Sequence, residues 1–334
     1  MNTSEPPARP RRSVRRRLAF LSLLLGALAV LVFGAMTWAQ AWGMTHYRTE
    51  AARSTRLREL HSTGKARFLF TGPTVRRMSN VSAPDQRGLA FTTRTLRNAA
   101  GQKLEVWEIP APGPGPLVLM FPGYGGSKDT LLAAAVEFHR LGCASWLVDF
   151  AGIGGSEGDT TTIGWREADD VTAAVRAAQT AQPGRRLVLY GTSMGAAAIL
   201  RAVHLGDVQP TALVLECPFD RLVTTIGNRC GLLGLPRQPF ANGVVFWAGV
   251  QQGYNGFAHN PVDYARSVRC PTLLLQGGQD QLVGLDRSRR IATALGKNGT
   301  FQVFPTAGHA YLVVNAAAPW RASVGNFLLK VSKE

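Results

Sequence analysis

Leu187-Val188-Leu189-Tyr190-Gly191-Thr192-Ser193-Met194-Gly195-Ala196-Ala197-Ala198-Ile199-Leu200 is the stretch on which the reading of this chain turns. An apolar strand-like run enters a G-x-S-x-G turn, and a run of strong helix formers leaves it. A serine caught between a buried strand and a helix sits on a sharp turn at the sheet edge. Its hydroxyl projects there, and the helix N-terminus aims partial positive charge at the same point. The pattern alone is weak, because in a chain of 36 glycines chance supplies on the order of 0.2 matches. A second match does occur, Gly154-Gly155-Ser156-Glu157-Gly158, but it lies in a glycine-rich loop followed by Asp159 and three threonines. No strand precedes Ser156 directly and no helix follows it, so it is read as a structural loop residue.

Working outward, short apolar strands alternate with helical patterns. Strands are expected at Leu117 to Phe121, Ala144 to Phe150, Arg186 to Tyr190, Ala212 to Glu216, Thr272 to Gln276 and Thr300 to Phe304. They are near-continuous apolar runs, as strands covered on both faces must be. Trp165 to Ala181 and Ala322 to Val331 carry apolar residues at helical spacing. Before them, Leu89 to Leu96 and Lys103 to Ile109 flank the turn Asn98 to Gly101 and read as a hairpin. The fold class is therefore α/β: a doubly wound, mostly parallel sheet with an antiparallel hairpin at its start. Pro218 to Ser267 breaks the rhythm with scattered Gly, Pro and aromatic residues and is read as an insertion, or lid, over one end of the sheet. In such sheets ligands bind beyond the strand carboxyl ends.

A serine is neutral at pH 7 and needs a base to take its proton. Of six histidines, His309 stands just past the last strand, in Phe304-Pro305-Thr306-Ala307-Gly308-His309, where a loop can swing back over the sheet edge. His259, in the insertion, is the rival; His46 and His61 lie near the apolar N-terminal segment, and His139 and His204 lie inside helical patterns. The base in turn needs a carboxylate to hold its tautomer. Asp280, in Gln276-Gly277-Gly278-Gln279-Asp280, follows a strand directly; Asp220 is the runner-up, and Asp149 is read as structural. Two backbone N–H groups are needed to hold a developing oxyanion. Met194 follows the serine, and Tyr124 lies in the turn Phe121-Pro122-Gly123-Tyr124-Gly125-Gly126 after an earlier strand; its ring is also placed to wall a pocket.

These residues resemble the α/β-hydrolase superfamily, and within it the serine aminopeptidase and lysophospholipase-like branch. The resemblance rests on Phe121 to Gly126, Asp149 to Gly158, Gly191 to Gly195, Asn260 to Asp263 leading into Pro271 to Asp280, and Gly308-His309. It spans roughly Leu117 to the end of the chain, and the order Ser193, Asp280, His309 is the superfamily's order. It implies hydrolysis of an ester, thioester or amide through an acyl-serine intermediate, with neither metal nor organic cofactor. The family often carries His-Gly where this chain has Pro122-Gly123, a departure that bears on the oxyanion loop and not on the triad. Fold likeness leaves the substrate open. An acyltransferase on the same triad, a non-catalytic binding module at the cell envelope and a basic nucleic-acid binder are the rival classes.

Length and charge bound the rest. The chain has 334 residues, is 46% apolar and carries a formal net charge of +16. From Leu18 to Met36 it has no charge and only Ser22 as a polar side chain, with Trp38 and Trp42 at the far end. That length and composition suit a membrane-crossing helix with an interfacial aromatic pair. Arg9, Arg11, Arg12, Arg15, Arg16 and Arg17 precede it, which predicts a cytoplasmic N-terminus and an extracytoplasmic domain. Arg48, Arg53, Arg56, Arg58, Lys65 and Arg67 follow it, and both basic clusters suit anionic lipid headgroups. Without zinc-ligand spacing or an aromatic-basic RNA motif, membrane is preferred to nucleic acid as the partner of this charge. Ala39-Gln40-Ala41 fits a signal-peptidase site, so a cleaved leader is the alternative to an anchor. The expected organisation is a basic tail at 1–17, an anchor at 18–39, a linker at 40–66 and a hydrolase domain at 67–334 with its insertion at 218–267. Cys143, Cys217, Cys230 and Cys270 form no CxxC; a Cys217–Cys230 disulfide is left open. The expected substrate is a small-molecule or lipid-like acyl compound.

Overall fold

The expected strands form one eight-stranded sheet in the computed structural model of the chain, which describes residues 12–49, 62–111, 113–232, 234–309 and 311–333. A helix α1 (Arg12–Thr45) leads to a short strand β1 (Tyr47–Arg48), helix α2 (Ser62–Thr71) and strand β2 (Val75–Arg76), which pairs with β1. The hairpin follows as β3 (Thr92–Arg97) and β4 (Lys103–Ile109), antiparallel to each other. Then come β5 (Leu117–Phe121), α3 (Leu132–Arg140), β6 (Ala144–Val148), α4 (Glu167–Ala181), β7 (Leu187–Thr192), α5 (Met194–His204) and β8 (Ala212–Glu216). The insertion supplies α6 (Leu222–Leu232), α7 (Phe240–Gln252) and the single turn α8 (Pro261–Tyr264). The chain closes with β9 (Thr272–Gly277), α9 (Leu285–Leu295), β10 (Gly299–Phe304), α10 (Leu312–Asn315) and α11 (Ala317–Val331).

The strand order is β10-β9-β8-β7-β5-β6-β4-β3, parallel from β10 to β6 and antiparallel at β4 and β3. Every residue of β5, β6, β7, β8 and β9 is buried, the reason those strands read as unbroken apolar text. Alternate side chains feed two cores. Leu119, Leu189 and Leu215 meet Val171 and Val175 of α4 and Ile199 of α5 on one face. Met120, Tyr190 and Val214 meet Phe138 of α3 and Trp320 and Val324 of α11 on the other. This two-sided cover brings the carboxyl ends of β5, β7, β8, β9 and β10 to one open rim.

Helix α1 continues past residue 39, so residues 40–45 of the segment read as a linker are helical. Helix α1 runs without a break to Thr45; its side chains are exposed over residues 14–32, and from Thr37 onward most are buried, with Trp38 still 43% exposed. This was hidden because the helix stays apolar from its exposed part into the part that docks on the domain. Phe33 meets Phe240 of α7 edge-on at 6.0 Å between ring centres. Gly243 lets α7 approach closely, since a Cβ there would stand 2.7 Å from Thr37 Cγ2. Gln40 Nε2 donates to Phe68 O at 2.6 Å, tying α1 to α2. Trp38, Trp42 and His46 stack in sequence down one side of the helix. The last-turn carbonyls, which no helix can satisfy for itself, are taken up by the domain: Tyr124 Oη donates to Met44 O at 2.6 Å and Thr161 N donates to Thr45 O at 2.9 Å. The basic tail before Arg12, the second basic cluster at Arg53, Arg56 and Arg58, and His61 lie outside the described residues.

Candidate active site

Ser193 stands between the end of β7 and the start of α5 with φ 49 and ψ −108. A non-glycine residue in that region is strained, and here the strain turns the side chain away from both elements. The glycines of the motif have steric causes. A Cβ on Gly195 would lie 2.4 Å from Phe121 O, and one on Gly191 would lie 2.7 Å from Ala196 N, so only glycine lets α5 press against the turn and β5.

Asp280 and His309 arrive from the ends of β9 and β10. The two loops touch backbone to backbone: a Cβ on Gly277 would lie 2.2 Å from Gly308 O. That contact sets the carboxylate against the imidazole. His309 Nδ1 lies 2.7 Å from Asp280 Oδ2, and His309 Nε2 lies 3.1 Å from Ser193 Oγ. With the proton on Nδ1, the ring donates to the carboxylate and accepts from the serine hydroxyl. Asp280 is itself held by Leu282 N and Val283 N, donating to Oδ1 at 2.9 and 3.0 Å, and by Gln276 Nε2, donating to Oδ2 at 2.9 Å. Burial alone would raise the Asp280 pKa, but the hydrogen bond and charge of His309, together with the N–H of Val283 and the Gln276 amide, hold it below the usual carboxylate value. The carboxylate is thus ionised and oriented at neutral pH.

The structure brings together the three residues that the sequence pointed to and separates the rivals. His259 is fully buried, with Nε2 3.0 Å from Ile163 O, and burial pushes its pKa down to about 3, so it stays neutral. Asp220 is buried facing Arg287 and Arg290 of α9, at 3.9 and 3.6 Å. Ser156 is buried and structural, its Oγ donating to Asp149 O at 2.8 Å and accepting from Glu105 N at 2.9 Å. Asp149 anchors the loop after β5. Its Oδ1 accepts from Lys128 N at 2.7 Å and its Oδ2 from Lys128 Nζ at 2.5 Å, while Lys128 Nζ also reaches Glu105 at 2.7 Å and lies 4.3 Å above the Trp107 ring. All four cysteines are free thiols, Cys217 and Cys230 among them.

Tyr124 and Met194 both lie at the serine. Met194 opens α5, where a backbone N–H has no partner within the helix. A Cβ on Gly123, beside Tyr124, would sit 3.6 Å from Ser193 Cβ, which brings the loop after β5 against the turn. The Tyr124 ring walls a cavity of about 240 Å3 that also exposes Ser193, His309, Arg229 and Tyr311. Arg229 and Tyr311 were not singled out from the sequence. Arg229 is one of many arginines, on a helix of the insertion, and only the fold carries it to the rim. Cys217, Asp280 and His309 also present donor atoms within 4.8 Å of one another. Asp280 Oδ2 and His309 Nδ1 already face each other there, and burial raises the Cys217 pKa well above that of an ordinary thiol.

Comparison with known proteins follows the same lines. The model of the serine aminopeptidase family S33 matches residues 113–233, and that of the dienelactone hydrolase family matches residues 225–324. An uncharacterized protein of Mycobacterium tuberculosis strain H37Rv is 30% identical over 219 residues, covering 63% of this chain and 69% of that relative. An uncharacterized membrane protein of Saccharomyces cerevisiae is 28% identical over 120 residues, 36% of this chain and 42% of its own length. Among solved structures, the esterase Pf2001 of Pyrococcus furiosus superposes with a TM-score of 0.66 at 22% identity, covering 76% of this chain and 96% of that one. That likeness is one of fold.

Proposed function

The chain belongs to the α/β-hydrolase superfamily and is a hydrolase of the serine-esterase type, and from that premise we propose that it cleaves an ester or thioester through an acyl-serine intermediate on Ser193. The observation that carries the reading is the unbroken line Ser193 Oγ, His309 Nε2, His309 Nδ1, Asp280 Oδ2, with spacings of 3.1 and 2.7 Å. His309 takes the serine proton as Oγ attacks the carbonyl carbon. Asp280 stabilises the imidazolium that results. The N–H groups of Tyr124 and Met194 hold the oxyanion, and the partial positive charge of the α5 N-terminus adds to their effect. His309 passes the proton to the leaving group, then activates the water that frees the acid and restores the hydroxyl.

The N-terminal helix is proposed to remain as a single-pass anchor with the enzyme domain outside the cytoplasm. Arg15, Arg16 and Arg17 precede the apolar run, which favours the cytoplasm for that end. The signal-peptidase pattern at Ala39-Gln40-Ala41 lies inside a continuous helix packed on the domain, and that packing supports retention of the segment.

The test is Ser193→Ala in the full chain, with Asp280 and His309 intact. Turnover of p-nitrophenyl acetate is expected to fall by about 10³ or more, the scale of losing a nucleophile. Labelling by a fluorophosphonate probe is expected to vanish while Tm stays close to that of the wild type. Wild-type turnover in this variant refutes the proposal.

A further inference from the structure

A second cavity, of about 280 Å3, adjoins the one at Ser193, and the two share Tyr124 and Arg229 as lining residues. Its walls are mostly apolar: Met44 from α1, Phe68 from α2, Ile226 from α6, Phe240 and Val244 from α7, and Leu235 between the last two helices. The Gln40 amide also borders it, but that group is engaged with Phe68 O. A cavity lined this way gives water few hydrogen-bond partners and favours an apolar occupant. Of the shared residues, the Arg229 guanidinium lies 5.1 Å from the centre of the Tyr124 ring. The cavity with the serine and the more apolar one meet at this pair of residues.

The position relative to the membrane selects the occupant. Gln40 and Met44 follow Met36, the last residue of the stretch whose only polar side chain is Ser22, by four and eight positions. At the rise of an α-helix they stand about 6 and 12 Å beyond the end of that stretch. The elements that wall the cavity also turn apolar side chains outward: Phe70 of α2 is 57% exposed, Leu232 of α6 52%, and Phe246 and Val250 of α7 52% and 57%. Apolar exposure on elements packed around an apolar N-terminal helix suits contact with the lipid boundary.

We propose that this cavity houses the fatty acyl chain of a membrane-derived ester or thioester, its carbonyl carbon at Ser193 Oγ, so that the anchor helix forms one wall of the substrate site. The proposal rests on the Ser193 mechanism above. The bond to the leaving oxygen or sulfur breaks as the Oγ–carbon bond forms, and the serine proton leaves with that group by way of His309. The chain length of the acid released is then set by residues of α1, α6 and α7.

Two experiments on the full chain in phosphatidylcholine vesicles test this. In the first, kcat/KM is compared for p-nitrophenyl octanoate and acetate. Val244→Trp, which fills the cavity, is expected to lower the octanoate-to-acetate ratio at least tenfold, and Ile226→Ala, which enlarges it, to move the optimum to longer chains. Ratios within twofold of the wild type in both variants overturn the proposal. The second needs no variant. An alkyl fluorophosphonate with a terminal diazirine is reacted with the wild-type protein, irradiated and mapped. Crosslinks in peptides containing Met44 or Val244 are expected, and crosslinks confined to other segments overturn the proposal. Absence of any adduct on Ser193, or hydrolysis of both esters by Ser193→Ala, would instead bring down the underlying mechanism.

Discussion

Replacing Asp280 with asparagine keeps the shape of the site and inverts one of its hydrogen bonds. The two carboxylate oxygens accept only: Oδ1 from Leu282 N and Val283 N, Oδ2 from His309 Nδ1 and Gln276 Nε2. An asparagine must present its NH2 to one of these pairs. Turned toward the backbone amides it would face two fixed donors, so it is expected to place the NH2 toward His309. Gln276 cannot relieve the conflict by flipping, because its Oε1 accepts from Ser288 Oγ at 2.6 Å and its Nε2 also donates to Gly277 O at 3.2 Å. The donor-to-donor contact with Gln276 costs about 1–3 kcal/mol of stability. The larger effect is on the tautomer. An NH2 opposite Nδ1 draws the ring proton to Nε2, so the imidazole then points a donor at Ser193 Oγ and cannot take its proton. The same change in a serine protease triad lowers kcat by about 10⁴, equivalent to about 5.4 kcal/mol of transition-state stabilisation. The assay is kcat for p-nitrophenyl acetate at pH 7 and 9, with Tm from thermal unfolding. Turnover within tenfold of the wild type at pH 7 would falsify the role assigned to Asp280.

Two further outcomes concern stability. Lys128→Met is expected to destabilise the domain by about 3–5 kcal/mol, measured by chemical denaturation, because it strands the buried Asp149 carboxylate without its cation; a loss under 1 kcal/mol refutes this. Burial pushes the Asp170 carboxyl up to about 7 from an ordinary 3.8, so the folded chain holds its proton more tightly than the unfolded one. Its contribution is whole below about pH 4 and is lost as pH rises through 7. Burial holds His259 at about 3, and its contribution grows with pH over much of the same range, so the difference between Asp170→Asn and the wild type is the quantity to read. That difference in Tm is expected to move in favour of the variant from pH 4 to pH 8, and a constant difference refutes the burial argument.

Much of the fold was legible because burial writes itself into composition. The fully covered strands β5 to β9 read as apolar runs, and the hairpin of β3 and β4 showed its turn. Ser193 was legible because the close approach of α5 to β5 and the turn demands glycines at fixed spacing, and Asp280 and His309 because each follows a strand closely. The second cavity was not legible. Its walls come from α1, α2, α6 and α7, and nothing in Met44, Ile226 or Val244 taken singly distinguishes a cavity wall from a packed core. The docking of α1 was equally hidden. The small residues that allow it, such as Gly243, are commonplace in apolar helices, and their meaning depends on a partner far away in sequence. Arg229 carried no signal because its place at the rim depends on how the insertion folds back.

The hydroxyl of Tyr124 closes the last turn of α1, while the backbone of the same residue belongs to the loop over Ser193. A recombinant protein trimmed to a start near residue 46 would lose that acceptor, along with the Gln40 and Met44 surfaces, and would leave the Tyr124 phenol without its partner. Kinetic constants from such a fragment would describe a roofless enzyme. Detergents that pry the same helix loose would impose a similar defect without cutting the chain, so the choice of solubilising agent belongs among the variables of any assay on this protein.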